Sequence, residues 1–129
     1  MAKRKENAFM QPIPGPDPDL IEIIDIDDAP YPEQITFEFP EFSSLCPITG
    51  QPDSALMHIH YTPVEQCLEE TSLQRYLGSF RNHGGFNEAI VNQILNDLVA
   101  ACAPREMTVR GEFAPRGGIQ LTVEVSHPA

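Results

Sequence analysis

A thiol and a carboxyl come first, because together they make covalent chemistry possible. Cys46 lies in the segment SSLCPITGQPD, where Pro47, Gly50 and Pro52 impose an irregular backbone, and Asp53 follows it by seven positions. A thiol held by such a loop, with a carboxyl at its far end, has the makings of a nucleophile and a proton carrier. The opposing reading is a small core hydrophobe, the commonest fate of a lone cysteine. Residue types alone leave the two side by side. Cys67 and Cys102 fall in stretches of helical pattern, where packing explains them. With three cysteines and no CxxC pair, neither a disulfide framework nor a cysteine-built zinc site is expected. His58 and His60 share one strand face two positions apart but have no third fixed ligand. They read as a polar sheet face rather than a metal centre.

A second group lies in SFRNHGGFNE, which is denser in polar residues than a linker requires. Glu88 falls in the first turn of a helix, where a carboxylate favours the helix dipole. The same carboxylate can accept two N–H donors from a guanine-like edge, with Phe86 offering a stacking face. Arg81 and His83 cap helix ends or face a ligand, and the pattern does not choose. Arg116 in PRGG is either a solvated turn residue or a cation brought near a phosphate. No GxGxxG follows a strand, so a nicotinamide cofactor would have to bind outside a Rossmann unit.

The elements that position these groups follow from periodicity. Residues 1–30 read as an acidic, Pro-rich, flexible arm, since Pro12, Pro14, Pro16 and Pro18 block helix and sheet alike. Within it, Ile21 to Ile26 alternates briefly and either pairs as an edge strand or stays loose. Residues 31–129 then form a single domain. Ile35, Phe37 and Phe39 mark a strand, and Ser54 to Thr62 a second one with Ala55, Met57, Ile59 and Tyr61 on one face. Pro63 opens a helical stretch over 64–80, as one helix or two. Ile90, Val91, Ile94, Leu95, Leu98 and Val99 define an amphipathic helix over 86–102, ended by Pro104. Met107 to Phe113 and Ile119 to Val125 give two more strands about the Arg116-Gly117-Gly118 turn. The order β-β-α-α-β-β implies an α+β fold, two antiparallel hairpins with helices on one face of the sheet. A small sheet apolar on both faces would close into a ring with its own copies, so a homo-oligomer is expected.

Charge narrows the partners. The net charge of −11 sits wholly before Arg75, where Lys3, Arg4 and Lys5 face fourteen acids. Such a surface repels a phosphate backbone, so direct nucleic-acid binding is not expected. No run approaches the ~18 apolar residues of a membrane span, and the basic start leads into Glu6 rather than an apolar stretch. The expectation is a cytoplasmic protein.

The runs FSSLCPITGQPD, LEETSLQRYLGSFRNHGGFNE and FAPRGGI, in this order over roughly residues 38–120, resemble the 7-cyano-7-deazaguanine reductases in their short, single-module form. These are nitrile reductases of queuosine biosynthesis in transfer RNA. The resemblance implies the tunnelling fold, a barrel assembled from several copies, with active sites between subunits and two stacked pentameric rings. It implies that Cys46 attacks the nitrile carbon to give a thioimidate and that Asp53 supplies protons while NADPH reduces the adduct. It further implies substrate contacts from Leu68, Glu69, Glu70, Phe86, Asn87 and Glu88, and cofactor contacts from Thr71, Gln74, Arg75 and Arg116. No metal is implied.

Departures from the family pattern matter. Asn87 stands where the family carries histidine, and it can hydrogen-bond but cannot gain charge. Thr71 and Gln74 stand where its cofactor motif has two lysines, with Arg75 adjoining the second. The lost lysines open an alternative, an amidinotransferase that resolves the same thioimidate with ammonia on a deazaguanine already in transfer RNA. The acidic surface and the intact GQPD and FRNHG runs favour the reductase. A non-catalytic purine-binding protein of the same fold is the third reading, opposed by the pairing of Cys46 with Asp53.

Overall fold

Strand pairing dominates the architecture. The computed structural model describes residues 15–26 and 34–129. The expectations for Pro12 and Pro14, and for the rest of 1–14 and 27–33, lie outside the described residues. The elements run as a 3-10 turn at Pro18–Leu20, β1 at Ile23–Asp25, β2 at Ile35–Leu45, β3 at Pro52–Thr62, β4 at Gln66–Leu68, α1 at Glu70–Gly78, α2 at Asn87–Cys102, β5 at Glu106–Arg116 and β6 at Ile119–His127. The main sheet is antiparallel with order β2-β3-β5-β6. Both helices lie on one face, against a core that includes Met57, Ile59, Tyr61, Ile94, Leu98 and Val109. The α+β reading of the sequence holds.

Two bulges set which side chains reach that face. In β2, Phe39 pairs with Met57 but the next inward pair is Phe42 with Ala55, so one extra residue enters beside Pro40. Proline has no N–H to give a ladder, and bulges gather at such edge positions. Side chains alternate along a strand, so the insertion switches the inward set from Ile35, Phe37 and Phe39 to Phe42 and Ser44. The same event occurs in β5 beside Pro115. Phe113 pairs with Leu121 and Arg116 with Ile119, which turns Arg116 to the parity of the inward Val109, Gly111 and Phe113. Asp53 already shares the inward parity of Ala55 and Met57 on β3. Ser44 lies directly across from Asp53.

Three expectations need correction. The helical stretch 64–80 begins instead as strand β4, because Ile23–Asp25 pairs with Gln66–Leu68. The helix starts only after Glu69, whose carboxylate accepts the N–H groups of Thr71 and Ser72 at 2.7 and 2.8 Å. Pro63 therefore opens no helix. Of the two courses left to Ile21–Ile26, the strand is the one taken, fastened by Glu69 N–H to Glu22 O at 2.9 Å and Ile26 N–H to Glu65 O at 2.8 Å. Nor is the second sheet face apolar. It carries Glu38, His58, Glu112, Arg110 and Glu124 in a charged ladder, and Thr36 bonded to His60.

Helix α2 packs through Ile90, Val91, Ile94, Leu95, Leu98 and Cys102 and closes with Ala103 in the left-handed region at φ 44°. Tyr76 of α1 donates its hydroxyl to Asp97 of α2 at 2.6 Å, tying the two helices. Among the described residues, no helix is long and apolar enough to cross a membrane.

Candidate active site

The turn between β2 and β3 holds the thiol. The N–H of Cys46 donates to Gln51 O and the N–H of Gly50 donates to Cys46 O, both at 2.8 Å. Thr49 Oγ1 accepts the N–H of Gln51 at 3.2 Å. The thiol lies below its ordinary pKa. The Thr49 hydroxyl contributes most, followed by the N–H groups of Thr49 and Ile48; desolvation opposes them, and the charge of Arg116 adds the smallest share. Part of Cys46's surface is open, as a nucleophile requires. Cys102 is the contrast, with burial pushing its thiol up to about 11.

The polar SFRNHGG run reaches the same place by a backbone bridge. Leu45 N–H donates to His83 O at 2.9 Å and Gly85 N–H donates to Leu45 O at 3.2 Å, so the connection between the helices lies beside the end of β2. That contact carries Phe86, Asn87 and Glu88 to the residue next to Leu45, which is Cys46. The approach at Gly85 is close, since a Cβ there would stand 3.2 Å from both His83 Nε2 and Ile90 Cγ1. Phe86 is the N-cap of α2 without a side-chain cap bond and is 58% exposed. Asn87 Oδ1 is buried and accepts no hydrogen bond from the protein. The exposed Glu88 carboxylate beside it suits a ligand rich in N–H donors.

Arg116 arrives from the opposite hairpin. Gly117 and Gly118 have φ of 60° and 82°, the two positive values of a type I′ turn, which closes the β5–β6 hairpin in two residues. The guanidinium lies 2.7 Å from Asp53 Oδ1. It also donates to Pro52 O at 2.9 Å and to Thr49 Oγ1 at 3.3 Å.

Cys46, Asp53, Phe86, Asn87, Glu88 and Arg116 thus converge on one cavity of about 340 Å³, closed at its base by Phe113 and Leu121. The remaining sequence candidates stand elsewhere in the chain. Leu68 is buried in the core, and Glu69 is occupied as the cap of α1. Glu70 and Gln74 border a smaller cleft with Phe37 and Phe39. Thr71 is exposed on α1. Arg75 lies 3.8 Å from Glu22 and borders a groove with Arg81. Sequence reasoning missed Thr49, whose hydroxyl touches both the thiol and Arg116, although its place three residues after the cysteine was a signal. It also missed the Asp53 carboxylate as a partner of Arg116.

An antiparallel sheet backed by two helices defines an α+β protein, with a thiol, a carboxylate and an arginine gathered at one end. The family model described as QueF-like protein matches residues 52–129. This chain belongs to that family. It is 53% identical over 96 residues to the NADPH-dependent 7-cyano-7-deazaguanine reductase of Anaeromyxobacter sp. (strain K), covering 74% of this chain and 79% of that protein. It is 52% identical over 103 residues to the protein of the same name from Halorhodospira halophila, covering 78% and 87%. With that of Anaeromyxobacter sp. (strain Fw109-5) the identity is 46% over 118 residues, 92% and 88% of the two chains. Among solved structures, the archaeosine synthase QueF-Like in the apo form superposes with a TM-score of 0.71 over 75% of this chain and 95% of that one, at 21% identity. That likeness speaks to the fold alone.

Proposed function

We propose that this chain is an NADPH-dependent 7-cyano-7-deazaguanine reductase, converting the nitrile to an aminomethyl group by way of a thioimidate on Cys46. The observation that carries the reading is the shared cavity. A thiol of lowered pKa, the Asp53 carboxylate and the Glu88 carboxylate at the N-terminus of α2 face one volume large enough for a bicyclic base. The Glu88 carboxylate takes the N–H donors of the guanine-like edge, and the exposed ring of Phe86 covers its face.

The chemistry follows from the groups present. The Cys46 proton passes to the Asp53 carboxylate, and the thiolate adds to the nitrile carbon. A C–S bond forms as one π bond of the C≡N group breaks, and the nitrogen takes the proton back from Asp53. The adduct is an imidate-like carbon that accepts hydride far more readily than a nitrile does. NADPH, when bound, supplies the hydride for each of the two reductions. Asp53, reprotonated from solvent before each hydride step, gives nitrogen a proton at each stage, and after the first the nitrogen lone pair forms a C=N bond as the C–S bond breaks and the Cys46 thiolate leaves.

Thr71, Gln74 and Arg75 are the residues we assign to the cofactor. They border no part of the Cys46 cavity, so in this reading they come from a neighbouring copy, as Leu68, Glu69 and Glu70 do for the substrate. Arg75 fits a phosphate: its side chain is largely exposed and only loosely paired with Glu22. A homo-oligomer of two pentameric rings agrees with the open edges of β2 and β6 and with the exposed Ile48, Phe86 and Ile119 around the cavity. Residues 31–129 form the catalytic domain under this proposal. Its unpaired cysteines suit a reducing cytoplasm, and its negative charge argues against transfer RNA as a direct ligand.

The test is NADPH oxidation with free 7-cyano-7-deazaguanine. Two NADPH consumed per nitrile is the expected stoichiometry, with a covalent mass increment on the protein when the nitrile is given alone. Cys46→Ala should abolish both. Adduct formation without NADPH consumption, resolved by ammonia, would instead identify the amidinotransferase. Full activity in Cys46→Ala would end the mechanism.

A further inference from the structure

We propose that Arg116 is a positioning residue for the covalent step, holding the Asp53 carboxylate in place and fastening the thiol loop to the β5–β6 hairpin. The inference rests on the reading of Cys46 and Asp53 given above and adds a role that neither the relatives' names nor the family description assigns.

The guanidinium makes three contacts, and all three lie on the Cys46–Asp53 segment. Asp53 Oδ1 is at 2.7 Å, Pro52 O at 2.9 Å and Thr49 Oγ1 at 3.3 Å. One contact fixes the acid, one the backbone beside it, and one the hydroxyl that itself bonds the thiol. A planar fork with fixed donor directions can bridge three such acceptors, whereas an ammonium acts as a single point. The bulge at Pro115 and the tight Gly117-Gly118 turn aim Arg116 inward, so the backbone itself is committed to this placement.

Charge gives the second line of argument. The titratable and charged groups facing Cys46 across the cavity are Asp53 from β3, Glu88 from α2 and Arg116 from β5. Two carboxylates oppose a thiolate, and Arg116 is the single cation lining the cavity among the described residues. It therefore stabilises both anions in turn. When Asp53 has taken the thiol proton, its attraction to Arg116 is lost, and giving the proton to the substrate nitrogen restores it.

The test follows the thiol without substrate or cofactor. Cys46 alkylation by iodoacetamide is measured against pH in wild type, Arg116→Gln and Arg116→Lys, with labelling at Cys46 resolved by peptide mass. Arg116→Gln should move the profile to higher pH and slow alkylation at neutral pH, by less than loss of the Thr49 hydroxyl would. Arg116→Lys should fall between, keeping charge but losing the fork. Arg110→Gln, on the outer sheet face, should leave the profile in place. The same variants should lose kcat for nitrile reduction more than they raise the NADPH KM. An Arg116→Gln profile that superposes on wild type, with only the NADPH KM raised, would make Arg116 a cofactor contact and overturn the inference. So would an Arg116→Lys variant that matches wild type in both readouts. Neither outcome touches the function itself, which fails separately if wild type does not reduce the nitrile.

Discussion

Replacing Gly111 by alanine tests how tightly α2 seats against the sheet beneath the cavity. A Cβ at this position would stand 2.8 Å from Phe113 Cε2 and 3.1 Å from Val91 Cγ2, both closer than ordinary carbon contacts. Two effects compete. Alanine restricts the unfolded chain and favours a strand over glycine by about 0.5–1 kcal/mol. Overpacking a closed interior costs about 1–3 kcal/mol, because the displaced groups must leave their rotamer wells. Val91 is fully buried and Phe113 nearly so, which leaves neither free room in which to yield. Sterics should win, with a net loss of about 1–2 kcal/mol and a fall in Tm of roughly 3–8 °C for a domain of this size. Phe113 also lines the cavity, so its displaced ring should raise the KM for the nitrile while leaving the thiol profile unchanged. Thermal unfolding followed by circular dichroism reads the first effect and steady-state kinetics the second. An unchanged or higher Tm would show that α2 does not press on β5 at Gly111, and the packing described for the site's floor would be wrong.

Two further substitutions probe other parts of the structure. Thr49→Val removes the hydroxyl that contributes most to lowering the Cys46 pKa. Thiolate prevails above the thiol's pKa and is lost as pH falls through it, so the variant's alkylation curve should shift to higher pH, with slower labelling at neutral pH and little change near pH 10. Ala103→Gly relieves a left-handed residue at the end of α2 and should raise stability by about 0.5–1 kcal/mol, measured by denaturant unfolding at constant m-value.

Sequence alone determined what depends on neighbours along the chain. The alternation in 54–62, 107–113 and 119–125 marks β3, β5 and β6, and the apolar spacing from Ile90 to Val99 marks α2, because these elements bury one face of a regular repeat. The pairing of Cys46 with Asp53 was equally legible, since one short loop carries both. Tertiary structure decided the rest. Residues 64–68 looked helical until a distant strand, Ile23–Asp25, supplied backbone partners that no local pattern announces. The bulges at Pro40 and Pro115 shift the phase of β2 and β5 by one residue, and only cross-strand register reveals such a slip. That slip brings Arg116 beside Asp53, a pairing the spacing along the chain does not announce. The bridge from Leu45 to His83 and Gly85 likewise joins segments forty residues apart, which is how a carboxylate on one helix comes to face a thiol on another loop.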